Sequence, residues 1–190
     1  MTGTDERDDT GTATLARLDG PAAVELADDL AELYAVVYAE APYHEGPDDV
    51  ARFRAAYPGQ TTEPGFALVA ALRGDTLVGA AFGVTFPAGR WWQRATEAPP
   101  AEVTGVDTFS VKEWLVHPDA RGGGLGRRLL DTLLADRPEP FATLASNPRA
   151  AARQIYHQWG WRHVNTSDDT GPFGVMDFLL LPMPRSGQRT

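Results

Sequence analysis

Val116-His117-Pro118-Asp119-Ala120-Arg121-Gly122-Gly123-Gly124-Leu125-Gly126-Arg127 is the stretch that decides how this chain folds. Before it, Thr108 to Val116 is dense in β-branched and aromatic residues and stops at Pro118, the pattern of a strand. After it, leucines at 125, 129, 130, 133 and 134 mark one face of a helix running from Gly124 to Ala135. Glycine lets a backbone approach a ligand closely and adopt positive φ. The free N–H groups of a helix's first turn point outward, and the helix dipole adds partial positive charge there. Arg121, Arg127 and Arg128 contribute full charges. Such a loop can cradle a pyrophosphate. It is not a Walker loop, because no Lys-Ser or Lys-Thr follows the glycines. Nor does it fit the dinucleotide fingerprint, which needs G-x-G-x-x-G and an acidic residue about 20 positions on.

Outward from this loop, the chain reads as alternating short elements. Upstream, Ala13 to Leu18 alternates as a strand, and Pro21 opens a helix with Leu26, Leu30, Leu33, Tyr34 and Val37 on one face. Pro42 ends that helix. Asp48 caps a second one, which Pro58-Gly59 should stop. Phe66–Leu72 and Leu77–Phe86 flank the turn Arg73-Gly74-Asp75 as a hairpin. Pro87 to Asp107 is a long irregular connection, the kind of segment that often carries function. Downstream come a strand at Phe141–Ala145, a helix from Pro148 to Trp159 ended by Gly160, and strands at Trp161–Asn165 and Val175–Leu181. The order β-α-α-β-β-β-α-β-α-β-β predicts a mixed α/β fold around one sheet.

The 190 residues suit one domain, expected over residues 13–183, between a disordered acidic tail at 1–12 and a polar tail at 184–190. A net charge of −9 argues against nucleic acid and weakly favours a cationic acceptor. No cysteine is present, which excludes disulfides, thiolate metal sites and a cysteine nucleophile. His44, His117, His157 and His163 form no metal spacing. With no transmembrane run and no secretory signal, the expected location is cytoplasmic, away from the membrane.

The glycine loop resembles the central motif of the GNAT acyltransferase superfamily, (Gln/Arg)-x-x-Gly-x-(Gly/Ala), with Arg121, Gly124 and Gly126 in the motif positions. Glu113-Trp114-Leu115-Val116-His117-Pro118 resembles the family's fourth strand. Ile155-Tyr156 followed by Trp159-Gly160-Trp161 resembles its later Leu-Tyr…Gly-Phe pattern. The order of elements matches from Ala13 to Leu181.

The resemblance implies a mostly antiparallel central sheet flanked by helices, with the fourth and fifth strands splayed apart and the cofactor between them. It implies acetyl-CoA as acyl donor. Its pantetheine would lie along the backbone near Leu115 and Val116, and its pyrophosphate on the N–H groups of Gly122, Gly123, Gly124, Leu125, Gly126 and Arg127, beside Arg121. It further implies attack by a primary amine, expected to be that of a small molecule, directly on the thioester. Tyr156 matches the tyrosine that often protonates the leaving thiolate. Asn147 matches an asparagine after the fifth strand, though its spacing to Tyr156 is longer than usual and it reads equally as a helix cap before Pro148. Homodimers are common among relatives, and the sequence leaves the oligomeric state open.

Glu113 is the first candidate for the general base, because its strand lines the cleft and burial would raise a carboxyl pKa. Regular alternation puts Val111, Glu113 and Leu115 on one face and Lys112, Trp114 and Val116 on the other. Trp91-Trp92 form either an aromatic wall for the acceptor or a cap on the core, Tyr43-His44-Glu45 are candidate acceptor contacts, and Asp168-Asp169 is a candidate attractor of a cationic amine or a solvated turn. A non-catalytic acyl-CoA-binding module and a protein N-terminus or lysine acetyltransferase are the competing readings.

Overall fold

The computed structural model describes residues 12–150, 152–171 and 174–184. The acidic tail expected at the N-terminus, apart from Thr12, and the polar tail beyond Pro184 lie outside the described residues. The elements are β1 (Thr14–Leu18), α1 (Gly20–Val24), α2 (Ala27–Tyr38), α3 (Pro47–Gln60), β2 (Ala67–Arg73), β3 (Thr76–Phe86), β4 (Thr108–Val116), α4 (Leu125–Leu134), β5 (Phe141–Ser146), α5 (Ala152–Gln158), β6 (Arg162–Thr166) and β7 (Asp177–Pro182).

The strands form one seven-stranded sheet in the order β1-β2-β3-β4-β5-β7-β6. Every pairing is antiparallel except β4 with β5, which is parallel. One face carries α4, whose Leu125, Leu129, Leu130 and Leu133 pack on Val69, Val78, Phe109 and Val111, with Tyr156 and Trp159 of the α5 region beside them. The other face carries α1, α2 and α3, where Leu30, Tyr34, Phe53 and Tyr57 cover Leu68, Ala80, Phe82 and Leu115. The mixed α/β sheet flanked by helices that the sequence predicted is therefore present.

Several boundaries differ from the sequence reading, and three have a clear physical reason. The first helix is broken at Glu25-Leu26: Asp19 caps α1 through Ala22 N–H, and Asp28 and Asp29 begin α2 where the helix dipole favours acid. Gly20 is required at the start of α1, since a Cβ there would lie 2.2 Å from the Thr61 carbonyl oxygen. The second helix runs through Pro58 to Gln60, because proline removes one donor while Thr61 N–H still reaches the Tyr57 carbonyl at 3.2 Å. Trp161 precedes β6: its N–H bonds back to the Tyr156 carbonyl at 3.0 Å and closes α5 around Gly160, which has the expected left-handed φ of +88°.

Two features of β4 position everything that follows. Its pairing with β5 runs only from Thr108↔Phe141 to Val111↔Leu144, so Glu113 to Val116 pair with β3 alone and the two strands part as a V. Its register with β3 shifts between Phe82↔Glu113 and Gly83↔Val111, which leaves Lys112 as the extra residue of a β-bulge.

Candidate active site

The V opens into a cleft with two connected parts. The first, about 520 Å³, lies between the glycine loop and α5. The second, about 880 Å³, lies between the α2–α3 connection and the Trp91-Trp92 loop. Lys112, Glu113, Tyr38, Tyr43 and Asn147 line both.

The first part is built mainly of backbone. Gly122 and Gly124 hold φ of +84° and +77°, and a Cβ at Gly122, Gly123 or Gly124 would meet nothing within 4 Å, so the loop faces open space. Among the described residues, no N–H from Gly122 to Arg127 donates to a backbone carbonyl; the ladder of α4 begins with Arg128 N–H to the Gly124 carbonyl at 3.1 Å. Partnerless donors in a row at a helix N-terminus suit an anion. Gly126 has another task. A Cβ there would touch Val116 and Trp114, and its carbonyl accepts from Trp114 Nε1 at 3.0 Å, so it docks α4 on β4.

The charged side chains here are already engaged. Arg121 donates to the Val116 carbonyl at 3.1 Å and pairs with Glu40 at 2.6 Å. Arg127 pairs with Asp131 at 2.7 Å and lies over the Trp159 ring. Val116 lines the slot, whereas Leu115 is fully buried under α2 and lines neither part of the cleft. Tyr156 stacks on Trp114 at 5.5 Å, and burial pushes its hydroxyl pKa well up, so it remains a proton donor. Asn147 is buried and its Oδ1 accepts from Arg149 N–H at 2.9 Å, the cap of the turn before α5. It also borders both parts of the cleft.

The second part is built of side chains. The bulge corrects the regular alternation expected for β4. Phe109 and Val111 face α4, but Lys112 and Glu113 both turn to the opposite face, after which Trp114 and Leu115 resume alternation. Glu113 Oε2 accepts from the Tyr38 hydroxyl at 2.7 Å. Burial pushes its pKa up to about 8, against the opposing pull of the Tyr38 hydrogen bond, with Glu45 adding like charge and Lys112 opposing it. Tyr34 donates to Glu45, whose pKa burial also raises. His44 takes a left-handed φ of +52°, unusual for a non-glycine residue, and the turn brings Glu45 N–H to the Tyr38 carbonyl at 2.9 Å.

The opposite wall is aromatic. Trp92 stacks on Phe178 at 5.1 Å and donates to Thr143 Oγ1 at 3.0 Å, so it both lines the cleft and seals the sheet below. Asp168 is not a free acid in a turn; it pairs with Arg94 at 2.9 Å and ties the long loop to the end of β6. His117 caps a short turn, accepting from Asp119 N–H at 3.3 Å. Among the described residues no cluster of three or more His, Asp or Glu could hold a metal, and no helix is long and apolar enough to cross a membrane. Tyr38 and Lys112 are the site residues that sequence reasoning passed over. Tyr34 and Tyr38 lie one turn apart, and this i, i+4 pair of hydroxyls on an otherwise apolar face was the available signal.

A model of the acetyltransferase (GNAT) family matches residues 25–161, from the start of α2 to the end of the α5 turn. The chain belongs to the GNAT family. Solved GNAT-fold structures agree in architecture. Aminoglycoside 6'-acetyltransferase type Ii superposes with a TM-score of 0.61 at 16% identity, over 91% of this chain and 99% of that one. The PaiA N-acetyltransferase of Thermoplasma acidophilum, solved with coenzyme A, gives 0.57 at 11%, over 91% and 100%. A putative acetyltransferase of Salmonella typhimurium, solved with acetyl-CoA, gives 0.53 at 15%, over 95% and 99%. No protein of curated function matches the sequence. At these identities the likeness is one of fold. GNAT enzymes take acetyl-CoA as acyl donor, and the donor run at Gly122–Arg127, with the slot between β4 and β5, fits its pyrophosphate and pantetheine.

Proposed function

We propose that this GNAT protein transfers the acetyl group of acetyl-CoA to the primary amine of a small molecule. The carrying observation is the position of Glu113: a half-buried carboxylate at the junction of the two parts of the cleft, bonded to Tyr38, with a pKa pushed up to about 8. A carboxylate with ordinary acidity is a weak base; one near 8 is a stronger base in its ionised form, whose share grows as pH rises through 8. In this reading the donor loop and the open edge of β4 hold the cofactor, beside Arg121 and Asn147. Bound acetyl-CoA supplies a thioester whose C–S bond breaks as the N–C bond forms. Glu113 accepts the proton lost by the amine, and Tyr156 supplies one to the departing thiolate. The enclosure of the second part supports a small acceptor: Trp92, locked on Phe178, and Arg94, locked on Asp168, hold the long loop across one side.

Calorimetric titration tests the donor, and thiol release with an amine panel tests the reaction. Acetyl-CoA should bind in the micromolar range and NAD should not. Tyr156→Phe should slow thiol release by about a hundredfold at unchanged acetyl-CoA affinity. Absence of acetyl-CoA binding would overturn the assignment.

A further inference from the structure

The bulge brings two opposite charges to one side of the sheet. Lys112 and Glu113 are consecutive, with Cα atoms about 3.8 Å apart, and both line the cleft. Glu113 looks toward the tyrosines and Glu45. Lys112 looks the other way: its Nζ lies 4.7 Å from the Phe86 ring centroid and 5.3 Å from that of Trp92.

Aromatic faces attract an ammonium but do not satisfy its three N–H donors. Two other cations of the cleft have acidic partners, Arg90 with Glu63 at 2.8 Å and Arg94 with Asp168 at 2.9 Å, while Arg149 lines it without an ion pair among the described residues. Among the described residues Lys112 has no ion pair and no hydrogen bond, and burial lowers its pKa. Trp91, on the same wall, has a buried indole N–H with no acceptor. A buried N–H left without an acceptor is costly, and here it stands beside an ammonium that reaches the cavity without an acidic partner. Together they match an anionic acceptor that arrives with the substrate. A single ammonium balances one negative charge, and Glu113, Glu45 and Asp49 elsewhere in the cavity repel a dianion. Those same carboxylates attract a cationic amine.

We propose that the acceptor is a zwitterion, an amine carrying one carboxylate a few bonds from its nitrogen, as in an amino acid, with the carboxylate on Lys112 and the amine on the Glu113 side. The proposal rests on the amine-acetylation reading above.

Two measurements test it. In the first, thiol release is followed with acetyl-CoA and matched triplets: each proteinogenic amino acid, its carboxamide and its decarboxylated amine. The best amino acid should exceed its carboxamide in kcat/KM by about tenfold to a hundredfold. Lys112→Met should erase that preference, raising KM for the acid by about tenfold or more beyond any slowing that it shares with the carboxamide through Glu113. Carboxamides or plain amines turned over as well as the acids would overturn the zwitterion and leave amine acetylation standing. Equal slowing of all three members by Lys112→Met would assign Lys112 to the chemistry or the fold instead, and overturn it too. Silence toward every amine would defeat the acetylation reading and this one with it.

The second measurement needs no turnover and no variant. Lys112 is the only lysine in the chain, so its reductive methylation can be read against that of the N-terminal amine. The N-acetyl derivative of the preferred amino acid, or the mixed N-acetyl amino acids where none is preferred, should slow methylation of Lys112 severalfold, and N-acetyl amino amides should not. Equal rates with both would overturn the proposal.

Discussion

The two parts of the cleft are made of different material. The donor part is a row of backbone N–H groups held open by glycines at positive φ, and its nearby arginines are spent on Glu40, Asp131 and the Val116 carbonyl. The acceptor part is a set of side chains from α2, the α2–α3 turn, β4 and the long loop, tuned by burial and by one another. A backbone site binds by shape and dipole and tolerates much change around it. A side-chain site works by charge state, and one substitution can move that state.

Substitutions on either side of Glu113 sharpen the contrast. Glu113→Gln should have the largest effect, lowering kcat by about 10²–10³-fold while acetyl-CoA affinity stays the same. The wild-type kcat/KM should fall as pH drops below about 8, because protonated Glu113 cannot accept the amine's proton. Glu113→Gln should lose that limb when profiled with the same amine, whose own titration then cancels. Next in size, Gly124→Asp places a side chain at φ +77° and a negative charge against the donor run. It should weaken acetyl-CoA binding by about a hundredfold, measured by calorimetry, without moving the limb near 8. If each substitution lowered both affinity and turnover alike, the two parts would not be separable. The smallest effect belongs to Tyr38→Phe. Its hydroxyl bond favours ionised Glu113, so its loss should move the limb above pH 8 and cost a few-fold in kcat/KM at pH 7.

The same difference in material explains what could be read from sequence. The donor part was legible because its residues are contiguous: a strand, Arg121, the glycines and the leucines of α4 follow one another, and glycine has few other reasons to recur so densely. Glu113 was legible by its strand. Its setting was not. The bulge at Lys112 leaves no mark in composition, and regular alternation sent Lys112 to the wrong face. Tyr38 meets Glu113 across a separation of 75 residues, which no local pattern encodes. Trp91 and Trp92 were conspicuous, but their choice between wall and plug depended on Phe178, Thr143 and the path of the long loop. Proline was over-read: Pro58 removed one hydrogen bond and α3 continued.

The extra residue in β4 also has an evolutionary consequence. Point substitutions can adjust Lys112 or Glu113 one at a time, but removing a single codon at the bulge would restore regular pleating. Deleting Lys112 would leave Glu113, Trp114, Leu115 and Val116 on their present faces and in their present register against β3, and would remove only the ammonium from the cavity. One step of chain length would thus change the charge of this part of the cleft, with the glycine loop untouched.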